Sequence, residues 1–466
     1  MTDHDATAPV TADPVVTEII ANSMVATAHE MNNIVVRTAF NPLLYDTKDF
    51  AVAVLSPDGE LWAEDPGLAV FIGCMPATVP SGLAKLGADG YGDGDVLIVN
   101  DPYLTGTHIS DTTVYAPVLH EGRLVAFVAV TAHWADVGGR TPGGWDMTST
   151  ELFQEGLCFT HQRLVRGHEP VADMLDLIAS NVRFPDIVRG DLDAQMSACR
   201  AGATRIVALC ERYGAAVVRG AMDRTVDATA RAVARRVEAL PDGTVTRSVE
   251  MDYDGVDPDV RPRVSVSVTV RGDRMHVGFD GTSGVAQSSM NITAAGTGSY
   301  QLFGVYLLRT DPTHGDPFIM IDPIDGGHGG HSSGHGETLV FSLDGDTLNL
   351  PVEVMENRYP LRCLRYSFAE GSEGAGEHAG GRGIVRDYQV LEDGTVLKYA
   401  NENTRDVLSR GSGGGGDGEA SHVVLRPGTD TEETLWRRGN DAGELRPGDV
   451  VRAVSGGGGG WGPPPA

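Results

Sequence analysis

The apolar positions of this chain follow two rhythms that change place along its length. From residue 15 to 39, Val16, Ile19, Ile20, Met24, Ala28, Met31 and Val35 recur at the spacing of one helical face, which predicts a long amphipathic helix. Short apolar runs then take over. Residues 50–56 and 61–63 flank Pro57-Asp58-Gly59, and residues 113–119 and 124–133 flank His120-Glu121-Gly122, so each pair reads as strands around a turn. Residues 95–100 form a further short strand, and the run at 124–133 is apolar enough to be buried on both faces. Helical spacing returns in 171–181, 187–213 and 215–239. After Pro241-Asp242-Gly243 the pattern reverts to strands at 245–252, 264–270 and 275–280.

Glycine changes this picture. The chain holds 60 glycines in 466 residues, massed at 326–336, 371–383, 411–418 and 456–462 with no fixed period. Glycine reaches positive φ without steric cost, so these stretches predict tight loops rather than a repeat. The chain therefore reads as α+β. A polar tail occupies 1–14, a mixed αβ region 15–169 and a helical layer 170–240. A β-rich, glycine-looped region covers 241–455, and an exposed Gly/Pro tail closes the chain at 456–466.

A formal charge of −28 repels phosphate backbones and anionic lipid, which argues against nucleic-acid and membrane partners. The start of the chain lacks the basic and apolar parts of a signal peptide, and no apolar run is expected to span a membrane. The five cysteines, Cys74, Cys158, Cys199, Cys210 and Cys363, form no C-x-x-C pair, which fits a reducing, cytoplasmic setting. The only lysines are Lys48, Lys85 and Lys398. None follows a glycine, which excludes a G-x-x-x-x-G-K-[ST] phosphate loop.

Candidate chemistry lies between strands. His108 and Asp111 stand three apart in a loop fixed by Pro102 and Gly106. His133 ends the buried strand and is followed by Trp134-Ala135-Asp136-Val137-Gly138-Gly139. Asp46 and Asp49 precede the first strand. Imidazole with carboxylate suits Mn²⁺, Fe²⁺ or Zn²⁺, yet each signal alone is weak, because a turn aspartate or a core histidine explains it equally well. His328, His331 and His335 fit a substrate loop as readily as a second ion. No H-E-x-x-H is present. The G-x-S-x-G around Ser332 and the G-x-G-x-x-G matches lie in glycine runs, outside a strand-to-turn-to-helix context.

These segments, in this order, resemble the B subunits of the hydantoinase/oxoprolinase family. The resemblance rests on 46–50, 94–111, Ala132 to Gly139, Glu151-Leu152-Phe153-Gln154-Glu155-Gly156, Asn181-Val182-Arg183, Gly190-Asp191-Leu192-Asp193-Ala194-Gln195, 280–283, 349–356, 380–383 and the glycine-rich ending. It covers nearly the whole chain. It implies a two-component enzyme in which ATP is held by an A-type subunit, which phosphorylates the substrate, in agreement with the missing phosphate loop. Hydantoin, lactam and oxoproline hydrolases and the acetone and acetophenone carboxylases are its two branches. The resemblance places a divalent metal on Asp46, His108, Asp111 and His133, with glutamate usual where Asp46 stands. Asp136 becomes a second-sphere group or general base. The leading expectation is hydrolysis of a cyclic amide. Ketone carboxylation and a non-catalytic partner role are the alternatives. The family's long stretch near 309–317 is largely absent here.

Overall fold

The computed structural model describes residues 13–465 apart from 66, 145, 147, 258, 292–303, 340–347, 402, 405–406 and 437–442. The expected tail at 1–14 thus lies outside the described residues up to residue 12. Its last two residues begin the first helix: the Asp13 side chain accepts from the Val15 amide, and Pro14 takes the first helical position, where a missing N–H is no loss.

That helix, α1 (Pro14–Thr38), buries Ile20, Met24, Ala28, Met31 and Val35, the face its spacing predicts. The short α2 (Pro42–Tyr45) leads into β1 (Phe50–Leu55) and β2 (Leu61–Asp65). Helices α3 (Ala69–Cys74) and α4 (Thr78–Leu86) precede β3 (Val96–Val99). The one-turn α5 (Pro102–Thr105) precedes the hairpin of β4 (Asp111–His120) and β5 (Arg123–His133), and β6 (Thr160–Arg166) and β7 (Glu169–Pro170) follow. These strands make one sheet in the order β2-β1-β5-β4-β3-β6-β7, antiparallel throughout.

Alternation along the strands sends Phe50, Val52, Val54, Val114, Val128 and Val130 to one face, and Ala51, Ala53, Leu55, Tyr115, Phe127 and Ala129 to the other. Both faces are covered, as the unbroken apolar run of β5 requires. After α6 (Ala172–Ser180), the long helices α7 (Pro185–Tyr213) and α8 (Ala215–Glu238) join α1 over the first face. The expected helical layer at 170–240 is therefore one side of the N-terminal core, sharing its apolar cluster. Helices α3 and α4 bring Phe71 and Val79 to the second face. Residues Ala69–Leu86 have the length and mean hydropathy, 1.3, of a membrane span, which amends the expectation of no such run. In the fold they break at the turn Met75–Ala77, and Phe71, Cys74, Met75 and Val79 are buried in the core.

Strands β8 (Gly243–Glu250), β9 (Arg263–Arg271) and β10 (Arg274–Gly278) form a separate three-stranded sheet. The strands β11 (Gly304–Arg309) and β12 (Phe318–Pro323), α9 (Val352–Arg358), β13 (Leu361–Phe368), β14 (Ile384–Val390), β15 (Thr395–Ala400), β16 (His422–Leu425), β17 (Glu433–Leu435), β18 (Glu444–Leu445) and β19 (Val450–Val454) complete the chain. They make a four-stranded sheet, β12-β11-β15-β18, and a five-stranded sheet, β13-β14-β19-β16-β17, around a second core centred on Leu307, Met355, Tyr388 and Val423. The point of the apparent deletion is crossed by the β11–β12 hairpin. There Arg309 donates to the Asp316 carbonyl from Nε and Nη2, at 3.1 and 2.9 Å.

The four glycine-rich stretches converge. Residues 456–462 run in the middle and exchange backbone hydrogen bonds with the other three: Gly327 N to Gly456 O (3.0 Å), Gly374 N to Gly458 O (2.8 Å), Gly458 N to Gly381 O (3.0 Å) and Gly460 N to Gly416 O (2.8 Å). A Cβ on Gly458 would stand 1.8 Å from the His328 carbonyl oxygen, and one on Gly380 1.9 Å from that of Gly458. Only glycine permits this spacing. Of the expected exposed Gly/Pro tail, Gly456–Gly460 are thus buried at the centre of a bundle, whereas Pro463, Pro464 and Pro465 are exposed as expected.

Candidate metal centre

Strand register builds the site. Asp111 opens β4, His133 closes β5, and the two are direct cross-strand partners. Their side chains therefore share a face, and Asp111 Oδ1 lies 3.1 Å from His133 Nδ1. His108 sits three residues before Asp111, in the loop after α5. Asp101 caps that helix from its side chain, and Gly106 ends it at a φ of 89°, a left-handed value suited to glycine. This turn brings His108 Nδ1 to 2.6 Å from Asp111 Oδ2. The two imidazoles face each other with centroids 4.9 Å apart. One ligand atom from each of His108, Asp111 and His133 lies within 4.8 Å of the others.

The electrostatics are divided among the three. Burial would lower His108, but the Asp111 carboxylate, with Asp49 behind it, overrides this and raises the imidazole to about 9. Burial disfavours ionised Asp111, yet His108 and His133 hold its carboxyl down at about 2. Burial lowers His133, and the charge on His108 acts in the same direction against the Asp111 hydrogen bond. The three are thus pulled apart, His108 towards the charged form, Asp111 towards the carboxylate and His133 towards the neutral ring. His133 Nε2 is buried with no hydrogen-bond partner, and such an orphaned lone pair has a purpose if it binds an ion or ligand. Two imidazoles and a carboxylate are donors of intermediate hardness and fit Mn, Fe or Zn.

Asp46 stands outside this trio. It follows α2, and burial raises its carboxyl while Arg358 opposes the shift. Its Oδ2 is buried without a hydrogen-bond partner. Asp49, not Asp46, is the acidic residue upstream whose charge acts on His108, and its carbonyl accepts from the His133 amide at 3.2 Å. Asp136 is fully buried, and both its oxygens are occupied. Oδ1 accepts from the Gly138 amide and Arg183 Nη1, each at 3.1 Å, and Oδ2 accepts from the Arg183 amide. Asp136 thus fastens the turn after His133 to Arg183, in the connection between α6 and α7. The histidines of the 326–336 loop do not gather on one point: His331 contacts Ser333, whereas His335 packs against His378, which stacks on Trp461.

Several motif residues prove to be supports. Gln195 on α7 accepts from Trp134 Nε1 at 2.8 Å and donates to the Thr112 and Val130 carbonyls, fixing the strand ends that carry Asp111 and His133. Asp191 accepts from the Phe40 and Asn41 amides. Gly190 leaves room for the Phe40 ring, which a Cβ would meet at 2.3 Å. The thiol of Cys158 is held up at about 11 by burial and the charge of Asp101, so it is no activated nucleophile.

An antiparallel sheet carrying a His-x-x-Asp loop opposite a strand-terminal histidine, joined to a glycine-bundled β region, defines the class. The hydantoinase B/oxoprolinase family profile matches residues 13–314 and 304–464, and the chain belongs to that family. The two matches overlap at the β11–β12 hairpin, where the sequence appears shortened. The chain is 23% identical to the B component of a putative D-/L-hydantoinase of Pseudomonas sp. (strain NS671), covering 97% of this chain and 90% of that one. Its fold matches the ATP-dependent caprolactamase of Pseudomonas jessenii with a TM-score of 0.87, at 21% identity and over 97% and 91% of the two chains. The acetone carboxylase structure matches with a TM-score of 0.83 at 14% identity, over 97% of this chain and 76% of that one.

Proposed function

We propose that this chain is the B subunit of a two-component, ATP-dependent amidohydrolase that opens a cyclic amide such as a hydantoin, lactam or oxoproline. ATP is held by an A-type subunit, which phosphorylates the substrate, and a cytoplasmic location belongs to the same reading. The observation that carries it is the trio of half-buried His108 with buried Asp111 and His133, together with the orphaned Nε2 of His133. A relative named as a hydantoinase supports the substrate class, and its designation as a B component supports a partner.

In this reading His108, Asp111 and His133 hold a divalent ion. Asp46 is the fourth donor through its unpartnered Oδ2, with Asp49 as the alternative. The ion would polarise a carbonyl or acidify water. Asp111 aligns both imidazoles. His108 gives up its proton when it becomes a ligand, because a metal ligand must be unprotonated. Asp136 and Gln195 act as positioning residues by holding the chain on either side of His133.

Ketone carboxylation is the second reading, supported by the fold shared with acetone carboxylase. Elemental analysis of the complex with an A-type subunit tests the centre first. One ion per copy of this chain is expected, lost in His108→Ala/His133→Ala, and a comparison of Asp46→Ala with Asp49→Ala identifies the fourth donor. A metal-free wild-type complex with full activity overturns the proposal. ATP turnover on a panel of cyclic amides supports hydrolysis, whereas turnover that requires bicarbonate and a ketone supports carboxylation.

A further inference from the structure

The second core holds an ion pair that its packing does not require. Asp322 on β12 and Arg386 and Tyr388 on β14 are each 0% exposed. Arg386 Nη1 lies 2.8 Å from Asp322 Oδ2, and the Tyr388 hydroxyl donates to the same oxygen at 2.6 Å. Taking both charges out of water is costly, and apolar residues of similar volume often serve a core as well or better. What an apolar pair cannot do is hold a carbonyl. Arg386 Nη2 donates to the Leu350 carbonyl at 2.8 Å.

That carbonyl belongs to a strap that runs out of the second core, from buried Leu350 to exposed Leu348. Asn349 Nδ2 donates to Asp325 Oδ2 at 3.0 Å, which holds the strap to the chain just beyond β12. The Leu348 amide then donates to the Thr47 carbonyl at 2.8 Å. Thr47 is buried and stands between Asp46 and Asp49. At its other end this loop is tied to the trio, since the Asp49 carbonyl accepts from the His133 amide at 3.2 Å. Helix α9, which follows the strap, grips the same region. Its Arg358 lies over the Tyr45 ring, 5.4 Å from the centroid, and donates from Nη1 to the Phe40 carbonyl at 3.4 Å. Hydrogen bonds thus lead from Arg386 to the strap, from the strap to Thr47, and from Asp49 to the backbone of His133.

We propose that Arg386 is a positioning residue for the metal centre: paired with Asp322, it fixes the 348–350 strap and, through the Leu348 amide, sets the 46–49 loop against His133. This rests on the metal-centre reading above, in which Asp46 or Asp49 completes the ligand set. The contribution is geometric. A loop held at both ends presents its carboxylate to the trio in one place, whereas a loop held only at the His133 end presents it over a range of positions.

The test titrates the full-length chain with Co²⁺ alone and reads the dissociation constant from the visible spectrum. Two variants cut the path at different points. Leu348→Pro removes the amide hydrogen at an exposed position. Arg386→Met/Asp322→Leu/Tyr388→Phe removes both charges and the hydroxyl together and leaves no buried ion without a partner. Each is expected to weaken Co²⁺ binding roughly tenfold, the scale of a lost support behind a metal ligand. Combined, they should weaken it no more than either does alone, because they break one path. A folded core variant that binds Co²⁺ as the wild type does overturns the assignment, and so does a combined loss near the product of the two. If the core variant fails to fold, Leu348→Pro decides: a tenfold loss supports the assignment, and unchanged binding overturns it. A wild-type chain that takes up no Co²⁺ overturns the metal-centre reading and this inference with it.

Discussion

Around the loops of His108 and His133 the fixed points are side chains, whereas in the glycine bundle they are backbone carbonyls and amides. The N-terminal sheet is clamped between apolar helices, and single polar groups (Asn100, Asp136, Asp191, Gln195) pin its loops. In the bundle, four stretches lie against one another so closely that a Cβ on Gly327, Gly380, Gly381, Gly457 or Gly458 would fall within 2 Å of a backbone carbonyl oxygen. The same amino acid therefore has two meanings in one chain. Glycine near the His108 and His133 loops permits a few close approaches, and in the bundle it is the packing material itself. A side-chain core tolerates substitutions of similar volume. A backbone core has no volume to exchange.

The sharpest break of that comparison is Gly458→Ala. Its Cβ would fall 1.8 Å from the His328 carbonyl oxygen, a backbone atom that cannot swing aside. Overpacking of this kind typically costs about 1–3 kcal/mol, and the upper end is expected because neighbouring segments must separate. Urea denaturation measures it. A variant within a few tenths of a kcal/mol of wild type shows the bundle to be looser than its hydrogen bonds indicate.

A smaller effect tests the side-chain pins. Burial raises the Asp191 carboxyl to about 7 despite the Asn41 and Phe40 amides, from an ordinary value of 3.8. Between those values the folded chain keeps a proton that the unfolded chain has released. Stability is therefore lost as pH rises through this window, at up to about 1.4 kcal/mol per unit. Asp191→Asn keeps an acceptor for both amides and has no charge to bury. Its stability relative to wild type should improve from pH 5 to pH 8 in parallel denaturation series. A constant difference across that range removes the buried charge as the cause.

The two regions were unequally legible in the sequence. Up to residue 239, α1, β1 to β5 and α6 to α8 followed from apolar period, whereas α3, α4 and β6 were not predicted from it. The trio was legible as candidates because its members stand at strand ends, and the register of β4 and β5 then sets Asp111 opposite His133. Other parts depend on contacts between distant segments. The motif at 151–156 was singled out for resemblance, but the tie between the neighbouring Leu157 and the loop of His108 runs through Asn100. Whether Asp46 or Asp49 faces the histidines is decided by the turn that ends α2. The bundle left no period to read, because residues without side chains have no face. Its partners are as far apart as Gly327 and Gly456.

The smallest expected effect is the control that gives the comparison its meaning. Gly73 lies in α3, exposed, and a Cβ there would meet nothing within 4 Å. Its φ is not in the positive range, so alanine fits without strain. Gly73→Ala removes unfolded-state freedom and adds helix propensity, worth about 0.5–1 kcal/mol in favour of the folded chain. Measured beside Gly458→Ala in the same denaturant series, it should shift the midpoint in the opposite direction. Destabilisation by both would leave the loss of a glycine as the common cause. Opposite signs would show that the cost at Gly458 comes from the geometry of the bundle and not from losing a glycine.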